Sequence, residues 1–290
     1  MTTLGRRFPV GPRGRLMFAF LVAGVLAYLT LGLSLQGLLP TRGADSQLGS
    51  FFGAALRPAL DYQASWVPEG SPAFLATVGR AMLDTLLLAA AAMSLAVAFS
   101  VPLALFTSES FWAKQARRVD GRARRRALGR VLLPALRTLI AGMRSVHELL
   151  WAVLLLAAFG DHDFLAVLAI AIPFSGTLAK VFSEMLDEAP QDSARALEQA
   201  GVTSPLAFAF GRLPRALPDM TAYTFYRFEC AVRSSAVMGF FGFPTIGYYL
   251  KLSYENLHYR EVWTWLYAMI VLVLIFEAWS AGLRRRWVAR

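Results

Sequence analysis

Residues 185–218 read MLDEAPQDSARALEQAGVTSPLAFAFGRLPRALP, a polar segment between two long apolar runs. The pattern predicts a short helix, a turn at Gly201 and a second short helix, followed by two Leu-Pro steps at Leu213-Pro214 and Leu217-Pro218. Apolar hairpins are usually joined by only a few residues, so a folded polar connection of this length indicates a docking surface for another protein. We call residues 185–218 the polar hairpin.

The composition places the chain among membrane proteins. Of its 290 residues, 57% are hydrophobic, and the mean hydropathy is +0.49. Soluble domains contain about 45–50% apolar residues. Several runs approach the ~20 apolar residues that cross a bilayer, and they do not alternate as barrel strands do. We therefore predict an all-α polytopic membrane protein.

The net charge of +10 does not indicate nucleic-acid binding, because the basic residues cluster beside the apolar runs. That distribution is typical of topology signals and of contact with lipid headgroups, as for the tract Arg122, Arg124, Arg125 and Arg126. The single cysteine excludes an internal disulfide, and no spacing of Cys or His predicts a metal site.

We predict about six spans, at 16–35, 83–106, 131–158, 164–183, 219–241 and 262–282. The first is long for a signal peptide and lacks a clear cleavage site, which favours an uncleaved anchor. We divide the chain into an N-terminal helix with an external loop (1–75), a core of five spans (76–282) that contains the polar hairpin, and a basic cytoplasmic tail (283–290).

The distribution of Lys and Arg predicts the orientation. The N-terminus, the 108–130 loop, the polar hairpin and the tail carry nineteen of these residues, whereas the loops on the other side carry four. Since basic residues are retained on the cytoplasmic side, both termini and the polar hairpin are predicted to be cytoplasmic.

Ionisable residues within the predicted spans are candidates for function, because they are costly in the bilayer unless paired or hydrated. Four oppositely charged pairs have i,i+4 spacing, at Arg80/Asp84, Arg144/Glu148, Lys180/Glu184 and Glu229/Arg233. One interpretation is local pairing that holds helices together, and the other is a polar translocation path.

The fifth predicted span is more polar than one salt bridge requires, which favours a path. The candidates for the path are Arg144, Glu148, Arg227, Glu229, Arg233, Ser234 and Ser235. If the path carries an anion, Arg144, Arg227 and Arg233 are the groups that offset its charge.

The stretch GFFGFPTIG (239–247) predicts a broken helix or tight turn at the outer end of this span. It is interpreted either as a simple helix end or as part of a gate. The candidates for the gate region are Gly242, Phe243, Pro244 and Gly247.

Residues 195–214 resemble the cytoplasmic signature loop of binding-protein-dependent ABC importer permeases, E-A-A-x3-G-x9-I-x-L-P. Alignment on Gly201 puts Arg195-Ala196-Leu197 at the E-A-A position and Leu213-Pro214 at the L-P position, while Gly211 stands where isoleucine is expected. Arg195 replaces the acidic residue, and Glu198 lies one turn later. The resemblance implies that an ATPase contacts Arg195, Ala196, Leu197, Glu198, Gly201, Leu213 and Pro214.

Two further segments, MRSVHELLWA (143–152) and YRFECAVRSSAVMGFFG (226–242), resemble those of phosphonate-type permeases. His147 replaces a proline of that group, and residues 242–247 replace its G-A-G-G-I-G run. The resemblance covers about 76–282 and implies a type I importer permease fold in a bacterial inner membrane. It also implies a second, identical permease copy, two ATPase subunits, and a periplasmic binding protein that delivers an oxyanion such as a phosphonate or phosphite.

The chain has no G-x4-G-K-[ST] phosphate loop. We therefore expect no cofactor in this chain and no enzymatic activity, with ATP and Mg bound by the partner ATPase. Two alternatives remain at this point. One is a secondary transporter driven by an ion gradient, and the other is an intramembrane enzyme that uses His147-Glu148 with Glu229 or Cys230.

Overall fold

The computed structural model describes residues 11–32, 44–65, 67, 70–111, 122–160 and 162–288. The end of the predicted first span, parts of the predicted external loop and the last two residues of the basic tail lie outside this set. All regular structure in the described residues is helical, as predicted.

The chain divides into two compact units, Met1–Gly53 and Ala54–Arg290. Helix α1 spans Pro12–Thr30, and α2 spans Ala44–Ala55. The second unit contains α3 (Phe74–Thr107), α4 (Arg122–Ser145), α5 (Glu148–Phe159), α6 (Asp163–Glu188), α7 (Asp192–Gln199), α8 (Ser204–Ala207), a π-helical turn (Phe208–Arg212), α9 (Leu213–Met238), a 3-10 turn (Gly239–Phe241), α10 (Ile246–Glu255) and α11 (Tyr259–Val288).

Four helices in the described part of the chain are long and apolar enough to cross a membrane, at Arg13–Thr30, Phe74–Thr107, Phe164–Glu188 and Tyr259–Gly282. Helices α4 and α5 become a fifth span if the two are counted together. Helix α9, the predicted fifth span, has 26 residues but a more polar composition.

The span predicted at 131–158 is not continuous. Val131–Ser145 and Glu148–Phe159 meet at 91°. His147 has extended backbone angles, and its Nδ1 accepts a hydrogen bond from the Leu149 amide at 3.4 Å, so it caps a new helix. The break separates Arg144 from Glu148, which explains why this predicted i,i+4 ion pair does not form among the described residues.

The centre of the second unit is the packing of α3 on α6. Ala89, Ala92 and Ala96 follow one face of α3 and are fully buried, as are Ala166 and Ala169 on α6. Small side chains allow helix backbones to approach closely, which is how helices associate where apolar burial from water is absent.

Thr85 of α3 joins two distant parts of the chain. Its backbone oxygen accepts a hydrogen bond from Ser235 Oγ at 2.6 Å, and its hydroxyl oxygen accepts one from the Ile246 amide at 3.1 Å. All three residues are buried. These two buried hydrogen bonds fix α3 to the end of α9 and the start of α10.

Gly247→Ala is expected to destabilise the packing of α9 and α10 beside these hydrogen bonds. A Cβ at Gly247 would lie 2.1 Å from the Ala236 backbone oxygen, which cannot move without displacing α9. Overpacking of this kind costs about 1–3 kcal/mol. We expect a lower midpoint of thermal unfolding in detergent, whereas Gly142→Ala is the matched control, because its Cβ would meet nothing within 4 Å. Equal midpoints for the two variants would contradict the packing account.

A buried carboxylate holds residues 54–63 against α11. Glu261 is 6% exposed, and its carboxylate accepts hydrogen bonds from the Gln63 amide at 2.5 Å and from Ser253 Oγ at 2.9 Å. Gln63 returns the contact, since its Oε1 accepts from the Glu261 amide at 3.0 Å. The Ala59 amide also donates to the Arg260 oxygen at 3.1 Å. Residues 54–63 are therefore packed as part of the second unit.

Candidate functional site

The polar hairpin has the predicted helix, turn and helix. Helix α7 ends at Gln199, and Gly201 follows with a φ of +86°, a conformation that favours glycine. The Gly201 amide donates to the Glu198 oxygen at 3.1 Å, and the Val202 amide donates to the Leu197 oxygen at 3.0 Å. These two bonds form a Schellman motif, which satisfies the last carbonyls of α7 and reverses the chain into α8.

Gly211 lets the two arms of the polar hairpin touch. A Cβ at this position would lie 2.7 Å from Ala194 Cα and 2.8 Å from Ala194 N. Ala194 is itself fully buried in α7. The glycine at the position of the family's isoleucine is therefore required by a contact between two backbones.

The structure leaves an apolar patch exposed on the polar hairpin. Leu206 is 49% exposed and Phe210 is 73% exposed, and the two lie four residues apart in sequence. Arg195, Ala196 and Gly201 are exposed as well. These two residues are candidates for contact with a partner protein, since contiguous exposed apolar surface is typical of interaction sites. Sequence reasoning missed Leu206 and Phe210, although an aromatic residue in a polar connection is the signal that indicates them.

Three of the other predicted coupling residues are less accessible. Leu197, Glu198 and Leu213 are half-buried, whereas Pro214 is exposed. Arg195 donates through Nη2 to Gln191 Oε1 at 3.4 Å, so it is held within its own helix.

Asp187, at the end of α6, binds the segment that follows α3. Its carboxylate accepts hydrogen bonds from Ser108 Oγ at 2.6 Å and from the amides of Glu109 and Ser110 at 3.1 and 3.0 Å. Its backbone oxygen accepts from Arg212 Nη2 at 2.5 Å. Sequence reasoning did not single out Asp187 or Arg212.

A polar group on α5 and α9 brings together some of the predicted pathway residues. Glu148 Oε1 accepts a hydrogen bond from Ser234 Oγ at 2.7 Å. Arg233 pairs with Glu229 at 2.8 Å, as its i,i+4 spacing predicts. Both carboxylates are mostly shielded, with exposed fractions of 17% and 14%.

Arg144 and Arg227 form a second group, on α4 and α9. Both residues approach the same stretch of α6, because a Cβ at Gly176 would lie 3.3 Å from the Arg144 backbone nitrogen and Arg227 contacts Phe174. The Arg227 guanidinium carbon lies 4.7 Å from the ring centre of Phe174, a cation–π contact. No carboxylate lies within ion-pair distance of either arginine in the part of the chain that the structure describes.

Ser235 and two of the predicted gate residues, Phe243 and Gly247, are buried. Ser235 is fully buried and donates to Thr85, as described above. Gly242 has a φ of +104° where the 3-10 turn ends, Phe243 is buried, and Pro244 is exposed. Gly247 contacts Ala236 across α9 and α10. Two of the predicted ion pairs form, Lys180–Glu184 and Arg233–Glu229. The Arg80–Asp84 pair does not form among the described residues.

A cleft of about 410 Å³ opens between the end of α3, α4 and α6. It is lined by basic and acidic residues, namely Arg137, Arg144, Lys180, Glu109, Glu184, Asp187 and Glu188, with Thr107, Ile140, Ala141 and Ser183. Arg144 belongs to both the cleft and the arginine group. Among the described residues, no cluster of His, Cys, Asp or Glu has the arrangement of a metal site.

Comparison with known protein families identifies the family of this chain. Residues 121–288 match the family described as binding-protein-dependent transport system inner membrane component. The match covers more than half of the chain, and the chain belongs to this family.

Two curated relatives and a solved structure agree with this assignment. The phosphite transport system permease protein PtxC of Stutzerimonas stutzeri is 29% identical over 241 residues, which are 82% of this chain and 77% of that protein. The phosphate-import permease protein PhnE of Mycolicibacterium smegmatis is 27% identical over 210 residues, which are 72% of this chain and 37% of that protein. An inward-facing structure of the MetNI methionine ABC transporter has a TM-score of 0.58 at 16% identity, covering 76% of this chain and 99% of that one.

The structural likeness shows the type I permease fold, and the family shows the class of function. The chain is the membrane permease subunit of an ATP-driven ABC importer, and it is not an enzyme. Its partners include an ATPase and a binding protein. The predicted fold and class are confirmed, and the family assignment sets aside the secondary transporter and the intramembrane enzyme.

Proposed function

We propose that this chain forms the translocation pathway for a phosphorus oxyanion such as phosphite or a phosphonate. The observation that carries the proposal is the placement of Arg144 and Arg227 against residues 174–176 of α6, with no ion-pair partner among the described residues. Guanidinium groups bind tetrahedral oxyanions well, because their planar set of donors matches the oxygen geometry. The relatives named for phosphite and phosphate transport support the same chemistry.

Arg233 has a different role in this proposal. Its pairing with Glu229 satisfies its charge, so it supports α9 while Arg144 and Arg227 contact the anion. Glu148, Ser234 and Glu229 form the polar surroundings of the pathway. The segment with Gly242, Phe243, Pro244 and Gly247 closes its outer end, and Ser235 fixes that end to α3.

The importer would contain two identical copies of this chain, with both termini and the polar hairpin in the cytoplasm of a bacterial cell. The exposed Leu206 and Phe210 give each of two ATPase subunits an apolar contact, and Arg195, Ala196 and Gly201 border it. Leu197, Glu198 and Leu213 shape the hairpin from within, and the exposed Pro214 lies in the first turn of α9. Those ATPase subunits bind ATP and Mg, while a periplasmic binding protein delivers the anion.

The test is uptake by proteoliposomes that contain this chain, its ATPase and its binding protein. Phosphite, a methylphosphonate and phosphate are supplied outside with the binding protein, and ATP is enclosed. We expect ATP-dependent uptake of at least one phosphorus oxyanion and none of a neutral amino acid. Uptake of the neutral amino acid, together with no uptake of any of the oxyanions, would contradict the proposed substrate class.

A further inference from the structure

Arg212 is the unusual residue of the polar hairpin, because its side chain is fully buried. Arginine is almost never fully buried unless it is paired. Its Nη2 donates to the Asp187 oxygen, whereas Nε and Nη1 have no hydrogen-bond partner within the described residues. Burial lowers the pKa of the Arg212 guanidinium, the nearby Asp187 carboxylate opposes that shift, and Arg195 adds to it. Because the buried Arg212 cannot interact with solvent, its charge must have a role inside the protein.

Asp187 is the next residue in a series of contacts that begins at Arg212. Its backbone oxygen accepts the hydrogen bond from Arg212, and its carboxylate binds Ser108 and the two amides that follow. One residue at the end of α6 thus connects Arg212 to the end of α3. Hydrogen bonds to a charged group are stronger than neutral ones.

Two further contacts extend the series. Glu109 pairs with Arg137 of α4 at 3.0 Å. Phe208 of the π-helical turn packs edge-on against Phe111, with ring centres 6.0 Å apart, and Phe111 packs against Phe106 of α3 at 5.9 Å. Polar and aromatic contacts therefore run side by side from the polar hairpin to α3, and the polar series reaches α4.

We propose that Arg212 and Asp187 are a positioning pair that carries movement of the polar hairpin to α3 and α4. The proposal rests on the proposed docking of the ATPase on the polar hairpin. When the ATPase displaces the part of the polar hairpin that follows Asp187, Arg212 pulls on Asp187 at the end of α6, and Asp187 pulls on Ser108 and Glu109. Helix α4 carries Arg144, so the same displacement reaches the proposed anion site. The unpartnered Nε and Nη1 leave the guanidinium free to gain bonds in a second position of the hairpin.

The test compares Arg212→Gln with Arg215→Gln in the complete reconstituted importer. Arg215 is exposed, lies three residues further along and has no ion-pair partner among the described residues, so its variant removes the same charge. We expect Arg212→Gln to assemble with the ATPase and to hydrolyse ATP. Its uptake per ATP hydrolysed should be lower than that of the wild type by at least about fivefold. Arg215→Gln is expected to keep the wild-type ratio.

Conservative variants separate positioning from folding. Arg212→Lys keeps a donor for the Asp187 oxygen, so its uptake per ATP should lie between those of the wild type and Arg212→Gln. If Arg212→Gln does not assemble, Ser108→Ala replaces it, because that change removes only one hydroxyl from the Asp187 carboxylate. A wild-type ratio in the assembled Arg212→Gln importer, or in its Ser108→Ala replacement, overturns the proposal.

The role of the positioning pair can still be tested if the substrate proposal is wrong. If the wild-type importer takes up no phosphorus oxyanion, coupling is measured as the stimulation of ATP hydrolysis by the binding protein. Loss of that stimulation in Arg212→Gln supports the positioning pair, and full stimulation overturns it.

Discussion

Gly211→Ile is expected to abolish uptake by the reconstituted importer, although it introduces the isoleucine of the family's signature loop. The new Cβ would lie 2.7 Å from Ala194 Cα and 2.8 Å from Ala194 N, and both atoms are backbone. No side-chain rotation relieves such contacts, so α7 must separate from the π-helical turn. Both the exposed patch and the Arg212 contact lie next to this packing, so both are expected to be lost.

The measurement is uptake together with co-purification of the ATPase from membranes that contain equal amounts of each variant. Gly79→Ile is the matched control, because it makes the same change in a helix where the Cβ meets nothing within 4 Å. Gly211→Ala should have a smaller effect in the same direction. Wild-type uptake by Gly211→Ile would show that the close approach of the two arms is not needed.

The double substitution Arg144→Gln with Arg227→Gln is expected to lower oxyanion uptake about a hundredfold or more, since each charge-assisted hydrogen bond to an anion contributes about 1.5–3 kcal/mol. Each single variant should fall about tenfold or more on the same basis. Glutamine keeps a hydrogen-bond donor but removes the positive charge. Association with the ATPase should remain, because neither residue lies in the polar hairpin.

Uptake is measured below saturation, with ATPase co-purification as the second readout. Arg80→Gln is the control, because Arg80 is an exposed arginine of α3 with no ion-pair partner among the described residues. Arg227→Lys retains the charge and should recover part of the uptake. If the double variant transports phosphite as well as the control does, the arginine group does not contact the anion.

The hairpin and the class of protein could be predicted from the sequence, whereas the bend between α4 and α5 could not. Gly201 and the Leu-Pro steps are local signals, since each restricts the backbone by itself. The apolar run through 131–158 continues across His147, and hydropathy therefore indicates one helix. The side-chain cap that divides it is a single hydrogen bond, and no periodicity reports it.

The sequence also gives no sign that Arg212 is buried. Arginine is mostly exposed in proteins, and its burial here depends on a π-helical turn and on α6, which ends 24 residues earlier in the chain. The same reasoning applies to Arg144. Its predicted partner Glu148 lies in the right place on a continuous helix, but the bend directs Glu148 to Ser234 and leaves the arginine unpaired among the described residues.

The right-angled break before α5 has a consequence for how the protein enters its membrane. At about 1.5 Å per residue, the apolar arms Val131–Ser145 and Glu148–Phe159 extend about 22 and 18 Å, less than the ~30 Å of the hydrocarbon core. Neither arm can be accepted by the bilayer as a stable span by itself. Both arms pack on α6, which follows them directly in the chain. We therefore expect α4, α5 and α6 to leave the insertion machinery together, as one step of biogenesis.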